Sequence, residues 1–202
     1  MDRPTQPDAG ALTQLASAAR ECTACELYKD ATQTVFGEGA PDARLVLVGE
    51  QPGDAEDVQG RPFVGPAGGV LDRALTAAGI DRETVYVTNA VKHFRFVQRG
   101  KRRIHAKPGR EHIEACHPWL AKELAQVRPG IVVALGATAV QALLGSKYRV
   151  MRDRGALIPF GDLDALITIH PSAVLRMPPE DRDKGFGGLV ADLTIAAQAI
   201  GS

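Results

Sequence analysis

The chain has 202 residues, 24 basic and 24 acidic side chains, no formal net charge and 45% hydrophobic residues. That length and composition suit one soluble domain with a single core. No apolar run reaches the roughly 20 residues a membrane-spanning helix needs. Zero net charge gives no general argument for nucleic-acid binding, so any such argument rests on local clustering. Three cysteines, an odd number, argue against a disulfide framework and leave free thiols, catalysis or metal ligation.

Residues 1–10 read as a flexible polar tail without the apolar core of a signal peptide, and the expected location is the cytoplasm. Ala11 to Arg20 has helical composition and leads into Cys22-Thr-Ala-Cys25. Four short segments rich in Val, Ile and Leu follow, Arg44–Val48, Thr84–Thr88, Gly130–Leu135 and Asp164–Ile169, and read as buried strands. Between them, Pro66 stands at a first helical position ahead of an apolar stripe of Val70, Leu71, Ala74, Leu75 and Ala78, with Gly79 as the stop. Gly109 to Val127, Ala137 to Leu144 and Asp181 to Ala199 complete the helices. Strands alternating with helices predict a parallel α/β sheet.

The strands run into Gly49-Glu50-Gln51-Pro52-Gly53, Asn89, Gly136-Ala137 and His170-Pro171-Ser172. Ligands of open α/β sheets bind beyond the carboxyl ends of the strands, so Glu50, Gln51, Asn89 and His170 are expected to converge on one pocket despite their separation in sequence. A second feature is Gln98 to Arg110, where six of 13 residues are Lys or Arg in a chain that is neutral overall. Such a run suggests phosphate contact, though alone it reads equally as a solvated loop.

Several of these segments, in this order, resemble the uracil-DNA glycosylase superfamily, above all its iron–sulfur family 4 and the covalent-trapping UdgX type. The resemblance is carried by Cys22-x-x-Cys25, Val35-Phe36-Gly37-Glu38-Gly39, Gly49-Glu50-Gln51-Pro52-Gly53, Gly60-Arg61-Pro62-Phe63-Val64-Gly65, Thr88-Asn89-Ala90-Val91-Lys92, Cys116 and His170-Pro171-Ser172. It spans about residues 20–197. Gln51 and the segment Lys101-Arg102-Arg103-Ile104-His105 point to the UdgX type in particular. The resemblance implies a single-domain, three-layer α/β/α fold over residues 11–202, with a central four-stranded, mainly parallel sheet.

It also implies roles. Asn89 reads the uracil edge, accepting from N3–H and donating to O4. Phe63 stacks on the flipped base. His170 donates to O2 as the uracil anion leaves. Glu50 and Gln51 lie near the sugar, where a carboxylate stabilises the developing cation or orients water, and Asp54 and Asp57 share that setting. Ser172 and Arg176 belong to the loop that probes the DNA, and Lys101, Arg102 and Arg103 contact it. His105 attacks the sugar C1′ once uracil has left, giving a covalent protein–DNA adduct. Cys22, Cys25, His93 and Cys116 hold one [4Fe–4S] cluster, His93 standing where family 4 has its third cysteine. As lone residues, Asn89 reads as a turn cap, Phe63 as core, His170 as a strand-end histidine and Arg176 as surface. His117 rivals His93 as a ligand, and the same four ligands also suit zinc. The implied partner is uracil-containing DNA, single-stranded in the first instance and double-stranded as the alternative, with uracil as product, no membrane, and a monomeric protein. The competing functions are an ordinary turnover glycosylase, in which His105 only touches phosphate, and a non-catalytic module binding uracil-containing or single-stranded DNA. Gly-x-Gly-x-x-Gly and Walker A motifs are both absent, which argues against the generic nucleotide-binding reading of an α/β domain.

Overall fold

The computed structural model describes residues 9–201; the sequence reading of a flexible tail falls mostly on residues outside these. In chain order the elements are α1 (Ala9–Ala19), β1 (Glu38–Gly39), β2 (Leu45–Gly49), α2 (Asp54–Gln59), α3 (Pro66–Ala77), β3 (Tyr86–Asn89), β4 (Phe96–Arg99), β5 (Arg102–His105), α4 (Arg110–Val127), β6 (Ile131–Leu135), α5 (Ala137–Leu144), α6 (Val150–Asp153), β7 (Leu157–Phe160), β8 (Leu163–Thr168), α7 (Pro171–Arg176) and α8 (Pro179–Gly201). Single 3-10 turns lie at Glu26–Lys29 and Arg82–Thr84. No helix among the described residues is long and apolar enough to cross a membrane.

The main sheet has the order β1-β3-β2-β6-β8-β7. Its four inner strands are parallel and are the four predicted from sequence. The expected count of four is corrected to six, because β1 and β7 pair antiparallel at the two edges. Neither edge carries a buried apolar run: β1 is two residues long, and β7 alternates exposed and half-buried positions around Pro159. A second correction concerns the basic segment. It is a two-stranded antiparallel ribbon, β4–β5, in which Phe96 faces His105, and Gly100, at φ +59, opens the turn.

Strand residues alternate between two apolar layers, as a sheet covered on both faces requires. Val46, Val48, Val132, Ala134, Ala165 and Ile167 pack with Leu12 of α1, Ile113, Cys116 and Leu120 of α4, and Ala139 and Val140 of α5. Leu45, Leu47, Val133, Leu135 and Leu166 pack with Val70, Leu71 and Leu75 of α3 and Leu189 and Leu193 of α8. This is the expected three-layer arrangement.

One ion pair crosses the first layer. Lys92, 1% exposed, meets Glu123 of α4, 0% exposed. The ammonium of Lys92 also donates to Thr88 Oγ1 (2.6 Å) and to the carbonyl of Asn89 (2.8 Å). Glu123 accepts from Gly37 N (2.9 Å), Tyr86 OH (3.0 Å) and Thr88 Oγ1 (2.9 Å). Burial, joined by the charge of Glu123, drives the Tyr86 hydroxyl pKa upward, so it remains a donor. Desolvated charges are tolerated only when paired and fully hydrogen-bonded, as these are, and removing one partner strands the other. Glu123→Ala is therefore expected to destabilise the fold by about 3–5 kcal/mol in urea unfolding at neutral pH; a loss under about 1 kcal/mol would contradict the role given to this pair.

Candidate active site

The carboxyl ends of the inner strands open on a cavity of about 730 Å³ whose lining includes Glu50, Gln51, Phe63, Asn89, His105 and His170. Glu50 and Gln51 follow β2, Asn89 ends β3, and His170 follows β8. The four strand-end residues that sequence reasoning expected to converge do so.

Gly49 and Gly68 permit the close approaches that set the Asn89 and Phe63 positions in the cavity wall. A β-carbon on Gly49 would lie 2.4 Å from Asn89 Oδ1 and 2.6 Å from Phe63 Cζ, so the last residue of β2 must lack one for the amide and the ring to meet there. Phe63 has φ +56, a left-handed conformation that costs a bulky residue about 1–3 kcal/mol. Its carbonyl sits against Gly68 of α3, where a β-carbon would come within 1.7 Å. Glu56 fixes the approach by accepting from Gly53 N (3.1 Å) and Gly65 N (2.8 Å), tying the turn after β2 to the turn after Phe63. The Phe63 ring lies near-parallel to the His170 imidazole, with 6.0 Å between centroids and 26° between planes.

His170 caps α7. Its Nδ1 accepts from Ser172 N (3.1 Å) and lies 2.8 Å from Ser172 Oγ. Acceptance at Nδ1 assigns the proton of the neutral ring to Nε2. Burial lowers the His170 pKa to about 4, against the pull of Glu50, with Arg176 and His105 adding to the lowering. Ser172 is thus turned toward His170, while Arg176 is exposed at the rim.

Glu50 is a quarter exposed and touches two partners. Its Oε1 lies 3.2 Å from His105 Nε2, and its Oε2 accepts from Thr138 Oγ1. Burial pushes this carboxyl up, but hydrogen bonds with His105 and Thr138 and the charges of His105 and His170 outweigh it and hold it below its ordinary value. His105 is half exposed, with Phe94 tilted against its ring at 6.2 Å.

Three expected contacts are placed differently. The Gln51 amide is turned to the base of the ribbon, accepting from Arg95 N (3.1 Å) and donating to the carbonyls of Arg95 (3.0 Å) and Ala106 (3.1 Å). Asp57 does not line the cavity: it is fully buried, accepting from Thr32 N (3.0 Å) and Arg103 Nη1 (2.5 Å). Arg103, expected to meet DNA, is held internally by Asp57, by Asp54 (2.6 Å) and against the rings of Phe94 and Phe96. Asp54 lines the cavity from that ion pair. Lys101 and Arg102 remain exposed at the ribbon tip. Thr138, Glu56 and Lys107 line the site or hold it and were not singled out from sequence; only the strand-end position of Gly136-Ala137 hinted at Thr138.

The four expected cluster ligands lie along the α1–α4 side. Cys22 Sγ accepts from Trp119 Nε1 (3.2 Å), and Cys116 Sγ lies 3.5 Å from Lys92 N. A hydrogen bond between Cys116 and Cys25 lowers the Cys25 thiol to about 6. His93 Nε2 lies 2.9 Å from Thr34 Oγ1, and Thr34 in turn reaches the end of α1 at Ala19. His93 Nδ1 is the buried side-chain nitrogen left without a partner among the described residues. A buried imidazole nitrogen without a partner, and thiol sulfurs that accept N–H donors, have the donor chemistry of a metal-ligating set. As they stand, no three such side chains among the described residues converge closely enough to hold an ion.

Residues 36–194 match the model of the uracil DNA glycosylase superfamily, and the chain belongs to that superfamily. It is similar to the type-4 uracil-DNA glycosylase of Thermotoga maritima, with 40% identity over 159 residues, covering 78% of this chain and 79% of the relative. The type-4 enzyme of Pyrobaculum aerophilum is 35% identical over 175 residues, covering 83% and 86%. That of Saccharolobus solfataricus is 33% identical over 177 residues, covering 83% and 79%.

The His170 geometry generates a pH prediction. Its pKa falls from 6.5 to about 4 on folding, so the unfolded chain binds more protons in that window. Stability is accordingly expected to be full above about pH 6.5 and to decline as acid is added toward pH 4. NMR titration of the ring should give a midpoint near 4, and His170→Gln should flatten the acid decline of the unfolding free energy; a midpoint near 6.5 would contradict the assignment.

Proposed function

We propose that this protein is a uracil-DNA glycosylase that excises uracil from DNA and then holds the abasic sugar covalently through His105. The observation that carries the reading is the pairing of His105 with Glu50 at the mouth of a cavity floored by Asn89, Phe63 and His170. Membership of the superfamily supports excision; the ribbon that brings His105 to Glu50 supports capture.

The flipped base enters beside Phe63, with the Asn89 amide set to accept from uracil N3–H and donate to O4. The C1′–N1 bond breaks and its electron pair goes to uracil. The neutral His170 ring, with Nδ1 engaged by Ser172, turns Nε2–H to the O2 where negative charge gathers. The Glu50 carboxylate faces the positive charge on the sugar. His105 lends a ring lone pair to C1′, and Glu50 takes up the proton its ring loses. The product is a neutral N-alkyl imidazole, a poor leaving group, so the adduct persists. Lys101, Arg102 and Arg176 line the approach of a single strand, the expected substrate.

Cys22, Cys25, His93 and Cys116 would hold a [4Fe–4S] cluster, whose chemistry here is structural cross-linking of the α1 end to α4 and the segment after β3. The orphaned lone pair of His93 supports this ligand set. Anaerobically reconstituted protein should carry about four irons and four sulfides per chain, His93→Ala should lose iron, and His93→Cys should keep it. Zinc alone in the native protein, or unchanged iron in His93→Ala, would reject the assignment.

The second reading, ordinary turnover with water attacking the sugar, is favoured by the relatives, which are type-4 uracil-DNA glycosylases. A denaturing gel separates the two. Uracil-containing single-stranded DNA should give a shifted band that survives SDS and heat and disappears in His105→Ser. Alkali-labile abasic product accumulating over many turnovers, without that band, would support plain hydrolysis.

A further inference from the structure

Glu50 divides its two oxygens between different elements. One meets His105 on the ribbon; the other accepts from the hydroxyl of Thr138, which is 1% exposed in the first turn of α5. A helical threonine ordinarily turns its hydroxyl to its own backbone or to water. Here it spans 88 positions of sequence to a carboxylate on another strand end. Gly136, at φ +85, lets β6 turn sharply into α5, and a β-carbon there would lie 2.9 Å from His170 Cβ. The turn therefore delivers the Thr138 hydroxyl beneath Glu50 while leaving room for His170.

We propose that Thr138 is a positioning residue for the reaction: its hydroxyl holds one oxygen of Glu50 so that the other faces His105 and the sugar. The inference rests on the role given to Glu50 above. Without the hydroxyl, the half-buried carboxylate loses a fixed donor, and its free rotation weakens both its contact with His105 and its alignment with the sugar cation. The titratable groups facing Glu50 are His105 from the ribbon and His170 from the β8 end; α5 contributes Thr138.

Thr138→Val keeps the volume and removes the donor, and Thr138→Ser keeps the donor. In single-turnover reactions at saturating uracil-containing DNA, Thr138→Val is expected to slow uracil release roughly tenfold with the half-saturating DNA concentration within about twofold, and Thr138→Ser to stay within about threefold of the unsubstituted protein. In a Glu50→Gln background, Thr138→Val should cause no further loss, because its action runs through that carboxylate. Carbon-13 titration of Glu50 gives a readout independent of turnover: its midpoint should rise in Thr138→Val and return in Thr138→Ser. An unchanged midpoint, or an equal fold-loss in the Glu50→Gln background, would overturn the inference. Failure of the unsubstituted protein to release uracil would count against the glycosylase reading, and the Glu50 titration would still decide the role of Thr138.

Discussion

The buried pair between Lys92 and Glu123 is the constraint on which the site is built. Neither charge can reach water, so each must be satisfied by protein groups, and those groups are the ones that locate the end of β3. Lys92 grips the carbonyl of Asn89, Glu123 grips Tyr86 and Thr88 of the same strand, and Gly37 N joins β1 to the set. Two well-packed apolar residues of similar volume would often be as stable. What they would not supply is a directional hold on one backbone carbonyl, which fixes where the Asn89 side chain leaves the strand.

From that fixed point the cavity is assembled by close approach. Gly49 admits the Asn89 amide and the Phe63 ring to one end of β2, Gly68 admits the strained Phe63 backbone to α3, and Glu56 ties the two intervening turns together. The second half of the site arrives on separate elements, with His170 on the cap of α7 and His105 on the ribbon. Glu50 joins the two halves by facing His105 directly and His170 electrostatically.

The four inner strands were legible because each is a short apolar run bounded by punctuation, and their strand-end residues followed from the topology. The edge strands were not, since an edge position demands little of composition: β1 is two residues and β7 is half exposed. The ribbon was hidden for a related reason: its two strands are almost wholly exposed and carry no alternation that would mark them. Asp57 and Arg103 show a further limit. Both stand in segments rich in charge, and composition does not reveal that the two neutralise one another across 46 positions of sequence. Thr138 escaped notice because a lone threonine in a helix carries no pattern; only the fold brings its hydroxyl to Glu50.

The ribbon that carries His105 shares no backbone ladder with the main sheet. Its attachments are side-chain ones, through the Gln51 amide and the guanidinium of Arg103. The architecture is therefore modular: the pocket beyond the strand ends belongs to the main sheet and its helices, while the imidazole beside Glu50 belongs to an appended arm. Changing those few docking residues would move His105 relative to Glu50 while leaving the packing of the pocket beneath it intact.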